Sequence, residues 1–165
     1  MPADLAQCVA DLSDANPAKR LQAAERLSQL GCAAAPAAVA LVRASGDEAE
    51  EVREYAVAAL EELGPPRIED LAHLTALLGE QRSDLGYWAA TLLGRLGDDA
   101  ASAVPALANA VVGGHDAAVS QRAAWALGRI GPAAAPAVDA LKQAAVTGDP
   151  RLAQLAQRAI ERIVG

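Results

Sequence analysis

The sequence predicts an all-α protein, an α-solenoid of about five two-helix repeats. Three observations predict it. First, 53% of the 165 residues are hydrophobic, yet 2% are aromatic and none is Phe. Alanine and leucine supply the apolar content, at 43 and 21 residues. Ala is the best helix former and a poor strand former, which argues against a β-sandwich or barrel. Second, a five-residue pattern recurs along the whole chain. Third, the apolar residues between its copies fall at helical spacing.

The recurring pattern is Leu27-Ser28-Gln29-Leu30-Gly31, then Leu60-Glu61-Glu62-Leu63-Gly64, Leu93-Gly94-Arg95-Leu96-Gly97 and Leu127-Gly128-Arg129-Ile130-Gly131. A last copy, Ile160-Glu161-Arg162-Ile163-Val164, precedes Gly165. The first position steps by 33, 33, 34 and 33 residues. The extra residue fits the loop Val112-Gly113-Gly114-His115, where paired glycines permit an insertion. Such self-similarity marks a repeat architecture, in which each unit buries its apolar face against its neighbours. The repeats run over about 2–31, 32–64, 65–97, 98–131 and 132–165.

Each repeat divides into two helices. The first carries Leu41, Leu74, Leu107 and Leu141, with Ala38, Leu71, Val104 and Val138 three residues upstream on the same face. Cys8 holds the matching place in the first repeat, beside Leu5, Val9 and Leu12. The second helix carries Val52, Leu85, Val119 and Leu152, then Ala56, Ala89, Ala123 and Ala156, then Leu60, Leu93, Leu127 and Ile160. This i, i+4, i+8 stripe is a buried helix face. Asn16-Pro17 and Asp149-Pro150 place a capping side chain before Pro at the first helical position. The glycine after each Leu-x-x-Leu reads as a C-cap. Pro36, Pro65, Pro66, Pro132 and Pro136 then open the next helix or its loop. At one second-helix position Val57, Ala90 and Ala124 give way to Gln157 in the last repeat. At another, Ala59, Leu92, Ala126 and Ala159 give way to Arg26 in the first. Both replacements read as solvent-facing end caps.

A net charge of -7 lacks the clustered Lys and Arg of a nucleic-acid binder and gives no attraction to an anionic membrane. No apolar stretch is long enough to span a bilayer, and Met1-Pro2-Ala3-Asp4 does not begin a signal peptide. Cys8 and Cys32 read as reduced thiols, so a cytoplasmic protein is expected. Catalytic and metal chemistry find no support. His73 and His115 lack Cys or Glu at ligand spacing. Cys8 lies in the apolar stripe, and Cys32 follows a helix C-terminus, whose dipole does not activate a thiol. No enzymatic activity, cofactor or metal is expected.

The runs Gly131-Pro132-Ala133-Ala134-Ala135-Pro136-Ala137-Val138 and Val52-Arg53-Glu54-Tyr55-Ala56-Val57-Ala58-Ala59-Leu60 resemble HEAT repeats. The likeness covers essentially the whole chain and is nearest to the short, Ala-rich HEAT-like repeats of the phycobilisome lyase type. It implies a right-handed α-solenoid, and the length suggests a single domain over 1–165. It also implies an acidic residue before the second helix linked to the arginine of the Val-Arg pair. Asp14 with Arg20 and Asp47 with Arg53 fit, and the pattern then lapses at Gly86, Ser120 and Ala153.

In the proteins it resembles, the second helices line the concave surface. Positions there not taken by the apolar stripe include Tyr55, Tyr87, Trp88 and Trp125, all four aromatic residues of the chain. They are expected to form an exposed ridge flanked by Arg95, Arg122 and Arg129. Aromatic plus Arg is the composition of interface hot spots. The competing reading is that each ring fills space over small neighbouring side chains. Charge along this face is graded. Glu25, Glu51, Glu54 and Glu62 lie toward one end, and Arg95, Arg122, Arg129, Arg151, Arg158 and Arg162 toward the other. The basic end suits an acidic peptide or carboxylate ligand. The expected function is a non-catalytic scaffold binding a protein or peptide segment on the ridge. Alternatives are a phycobilisome-lyase-like protein handling a tetrapyrrole, and a subunit of a larger assembly.

Overall fold

The computed structural model describes residues 3–80, 82–114 and 116–165; His115, one of the chain's two histidines, lies outside them. All regular structure among the described residues is helical. The chain divides into two compact units, Met1–Asp70 and Leu71–Gly165.

The N-terminal unit holds α1 (Ala3–Asp11), α2 (Pro17–Ser28), α3 (Ala38–Ala44) and α4 (Glu50–Glu62). Helix α1 packs on α2, α3 on α4, and the second helices α2 and α4 pack on each other. The C-terminal unit holds α5 (Leu71–Leu78), α6 (Ser83–Leu96), α7 (Val104–Val112), α8 (Ala117–Ile130), α9 (Val138–Ala145) and α10 (Pro150–Val164). Here α6, α8 and α10 form one row, with α5, α7 and α9 paired to them in a second layer. This is α-solenoid packing, with first and second helices segregated into two layers.

The sequence signals act as expected at helix ends. Asn16 Oδ1 accepts from Ala18 N at 2.9 Å ahead of Pro17. Asp149 Oδ1 accepts from Arg151 N and Leu152 N ahead of Pro150. Gly97 and Gly131 end α6 and α8 at φ +63° and +73°, where a Cβ would be strained. Beyond the repeat glycine the chain does not enter the next α-helix directly. Gly31–Ala37, Gly97–Ala103 and Gly131–Ala137 are 3-10 segments leading into α3, α7 and α9. Pro36 and Pro136 lie inside two of them and tighten the chain there.

Most of the predicted stripe is core, while Leu71, Val138 and Ile160 are half-buried. Leu41, Leu74, Leu107 and Leu141 are buried, as are Val52, Leu85, Val119 and Leu152 with their alanines. Arg26 and Gln157 are exposed, which fits their reading as end caps. No described helix is long and apolar enough to cross a membrane.

The expected Asp–Arg link is rearranged. Arg20 donates to Asp47 of the next repeat, Nε to Oδ2 at 2.7 Å and Nη2 to Oδ1 at 3.0 Å. Toward its own repeat it reaches the carbonyl of Asp14, not the carboxylate. The Asp14 carboxylate instead accepts from Asn16 N and Lys19 Nζ. Arg53 likewise donates to the Asp47 and Glu48 carbonyls. The arginine therefore staples consecutive repeats through a bidentate pair, the stronger geometry for Arg and carboxylate.

Candidate functional site

The exposed positions of α8 and α10 carry the densest chemistry of the C-terminal unit. Arg122 of α8 is held by two rings. Its guanidinium lies 4.6 Å from the Tyr87 ring centroid and 5.1 Å from that of Trp125. It also donates through Nη2 to the Tyr87 hydroxyl. A cation over two aromatic faces is favoured by their quadrupoles, more so when partly desolvated. Trp125 has space because α6 has glycine opposite: a Cβ on Gly94 would collide with its ring and stand 3.0 Å from Ala126 Cα.

Beside this clamp lies an open groove of about 440 Å³, bounded by Tyr87, Arg122, Trp125, Arg151, Leu155 and Arg158 among others. A smaller recess of about 170 Å³ shares Trp125, Leu155 and Arg158 and extends to Arg162. Together they run along the joint of α8 and α10. Gln121, which also lines the groove, donates through Nε2 to Asp149 Oδ2 at 2.8 Å. That bond first, and the Leu152 N–H next, hold the Asp149 carboxyl below its ordinary range.

The structure sorts the expected ridge. Tyr87, Arg122 and Trp125 come together, half-buried, at the groove. Tyr55 lies on α4 in the N-terminal unit, exposed, over a depression it shares with Leu21, Glu51, Glu54 and Ala58. Arg95 and Arg129 do not line the groove. The placement of Trp88 is corrected: it is 8% exposed, buried edge-on against Tyr87 at 5.4 Å. The reason is local. Helix α6 is buried at every position from Trp88 to Gly94, so a place left over from the apolar stripe is not a surface place. A continuous exposed ridge of four rings is therefore not what the chain presents. The groove adds Gln154 and Leu155, which stand in the right columns of the repeat but carry no signal of a role in the sequence. Of the two cysteines, Cys8 is buried and Cys32 exposed, with its thiol 3.8 Å from the Glu62 carbonyl. Among the described residues no group of His, Cys, Asp and Glu is placed to hold a metal.

A profile of HEAT repeats matches residues 71–161. No curated protein matches the chain. Among solved structures, it is similar to the CpcE–CpcF complex of phycocyanin lyase from Nostoc, at 24% identity and TM-score 0.69, over 99% of this chain and 68% of that one. It is similar to a designed armadillo repeat protein in complex with the peptide (KR)4, at 17% identity and TM-score 0.67, over 96% and 81%. An engineered protein aligns at 24% identity and TM-score 0.64 over 98% of this chain; the chain spans about half, 48%, of its length. At these identities the likeness is one of fold.

Proposed function

The chain belongs to the HEAT-repeat family, and from that premise we propose that it is a non-catalytic scaffold that binds a protein segment in the α8–α10 groove. The observation that carries the reading is the clamped Arg122. A guanidinium fixed between Tyr87 and Trp125 at the lip of an open groove is preorganised. A partner then meets a charged group whose ordering cost is already met by the fold. Among the lining residues Leu155 offers apolar contact, and Gln154, Arg151 and Arg158 offer donors. Aromatic and Arg anchors beside small residues are the composition of binding hot spots. Tyr55 and the arginines Arg95 and Arg129 lie outside the groove and play an accessory part in this reading.

Capture from cell lysate tests it. Gln154 and Arg158 are exposed, so the double variant Gln154→Ala/Arg158→Ala keeps its helicity and melting temperature. The variant loses proteins that the wild type retains. Identical capture by both would end the proposal. Titration with a free bilin leaves the pigment spectrum unchanged on this reading. A red shift that the double variant abolishes would favour the tetrapyrrole-handling alternative.

A further inference from the structure

We infer that the occupant of this groove is an acidic peptide segment in extended conformation, lying along the row Arg151, Arg158 and Arg162, with the carboxylates of two alternate residues meeting Arg158 and Arg162. This rests on the groove being a binding site, and it adds the chemistry of the partner. Arg151, Arg158 and Arg162 lie seven and four residues apart on α10, and all three border the groove or its recess. That spacing keeps them on one side of the helix. At 1.5 Å per residue the row spans about 16 Å. An extended chain rising ~3.3 Å per residue covers it in about five residues, with alternate side chains on one face. The gap from Arg158 to Arg162, about 6 Å along the helix, is close to that two-residue step.

Charge selects the sign. Arg122, Arg151 and Arg158 line the groove with no carboxylate among its lining residues. The nearby Asp149 is engaged by Gln121 and by two N–H groups at the start of α10. Neither Arg151 nor Arg158 makes a salt bridge among the described residues. A cluster of like charges in a recess focuses potential and draws an anionic segment. A single-stranded nucleic acid fits less well. Base stacking needs an open ring face, and Trp125 has Arg122 over its ring and its edge packed on Gly94.

The test uses the full chain and dye-labelled twelve-residue peptides read by fluorescence polarisation. One alternates Glu with Ala, the other Lys with Ala. The Glu peptide binds the wild type, and its affinity falls as salt rises. Arg158→Glu weakens it by about tenfold or more. Lys142→Glu changes net charge equally but lies on α9 away from the groove, and it leaves affinity unchanged. Equal weakening by Lys142→Glu, binding of the Lys peptide, or no binding of the Glu peptide would each overturn the inference. So would displacement of the Glu peptide by lower concentrations of oligothymidylate. Sedimentation showing self-association that Arg158→Glu abolishes would give the groove to a second copy instead. If the Glu peptide fails while lysate capture still depends on Gln154 and Arg158, the scaffold reading survives and the acidic occupant does not. If capture is also unchanged, both fall.

Discussion

The N-terminal unit, through Asp70, carries thirteen Asp and Glu against six Lys and Arg; the C-terminal unit carries eight of each. The whole net charge of -7 therefore belongs to the first unit. The same division appears in how repeats are joined. Eleven residues before the repeat glycine, the first unit has Arg20 and Arg53, and the second has Gly86 and Ser120. Three before it, the first unit has Ser28 and Glu61, and the second has Gly94 and Gly128. The first unit thus links its repeats by an arginine staple. The second brings its helices to near contact. A Cβ on Gly128 would stand 3.0 Å from Ala159 Cα, and one on Gly86 3.1 Å from Val119 Cγ1. One repeat tolerates two kinds of joint, because the leucine and alanine stripe is common to both.

Filling the close approach breaks the second kind of joint. Gly94→Leu improves helix propensity by nearly 1 kcal/mol. Against that, the new side chain must displace the Trp125 ring and the backbone of Ala126. Overpacking of a tight interior costs about 1–3 kcal/mol or more and prevails. The matching change Glu61→Leu, at an exposed position of the first unit, forfeits only surface polar contacts and costs less than about 1 kcal/mol. Urea denaturation of both variants measures the contrast. A Gly94→Leu midpoint at or above wild type would mean that the helices do not depend on that contact.

The fold was legible because its determinants are local. Each repeat glycine, each leucine column and the Asn16 and Asp149 caps act within a few residues of their place in the chain. The site was half legible. Tyr87, Arg122 and Trp125 stood in the right columns, but the bond from Arg122 to Tyr87 spans 35 residues and no periodic rule implies it. Treating every repeat alike put Trp88 on the surface. It is buried because α6 is enclosed around more of its circumference than α4. The same uniformity paired Arg20 with Asp14, whereas the carboxylate it meets is 27 residues away in the next repeat.

The staple is tested by acid. Burial alone raises the Asp47 pKa, but hydrogen bonds from Arg20 and from Ala49 N outweigh it and leave the group below its ordinary 3.8. Asp14 is lowered by the Asn16 N–H first and by Lys19 second. A carboxyl depressed in the folded chain stabilises it above the unfolded pKa and loses that stabilisation as pH falls through the folded value. Stability therefore declines from about pH 5 downward. Asp47→Asn lowers the melting temperature at pH 7 and flattens this decline. Gln121→Ala, which removes the side-chain bond to Asp149 in the second unit, flattens it less. Melting curves from pH 3 to 7 read both. An unchanged acid slope in Asp47→Asn would show that the staple carries no stability.

The smallest effect separates the two tyrosines. Tyr87→Phe removes the hydroxyl that accepts from Arg122 and keeps the ring beneath the guanidinium. A hydrogen bond to a charged group contributes about 1.5–3 kcal/mol, and partial exposure to water brings this one toward the ordinary value of about 1 kcal/mol. Tyr55→Phe, on the exposed face of α4, changes stability by less than about 0.5 kcal/mol. Arg122 keeps its aromatic neighbours in Tyr87→Phe but loses the bond that fixes its angle. Arg122 Nε and Nη chemical shifts therefore move and their signals broaden, while those of Arg20, held by Asp47, stay put. If the Arg122 signals keep their shift and width in Tyr87→Phe, ring stacking alone orients the guanidinium. The hydroxyl would then have no part in shaping the groove.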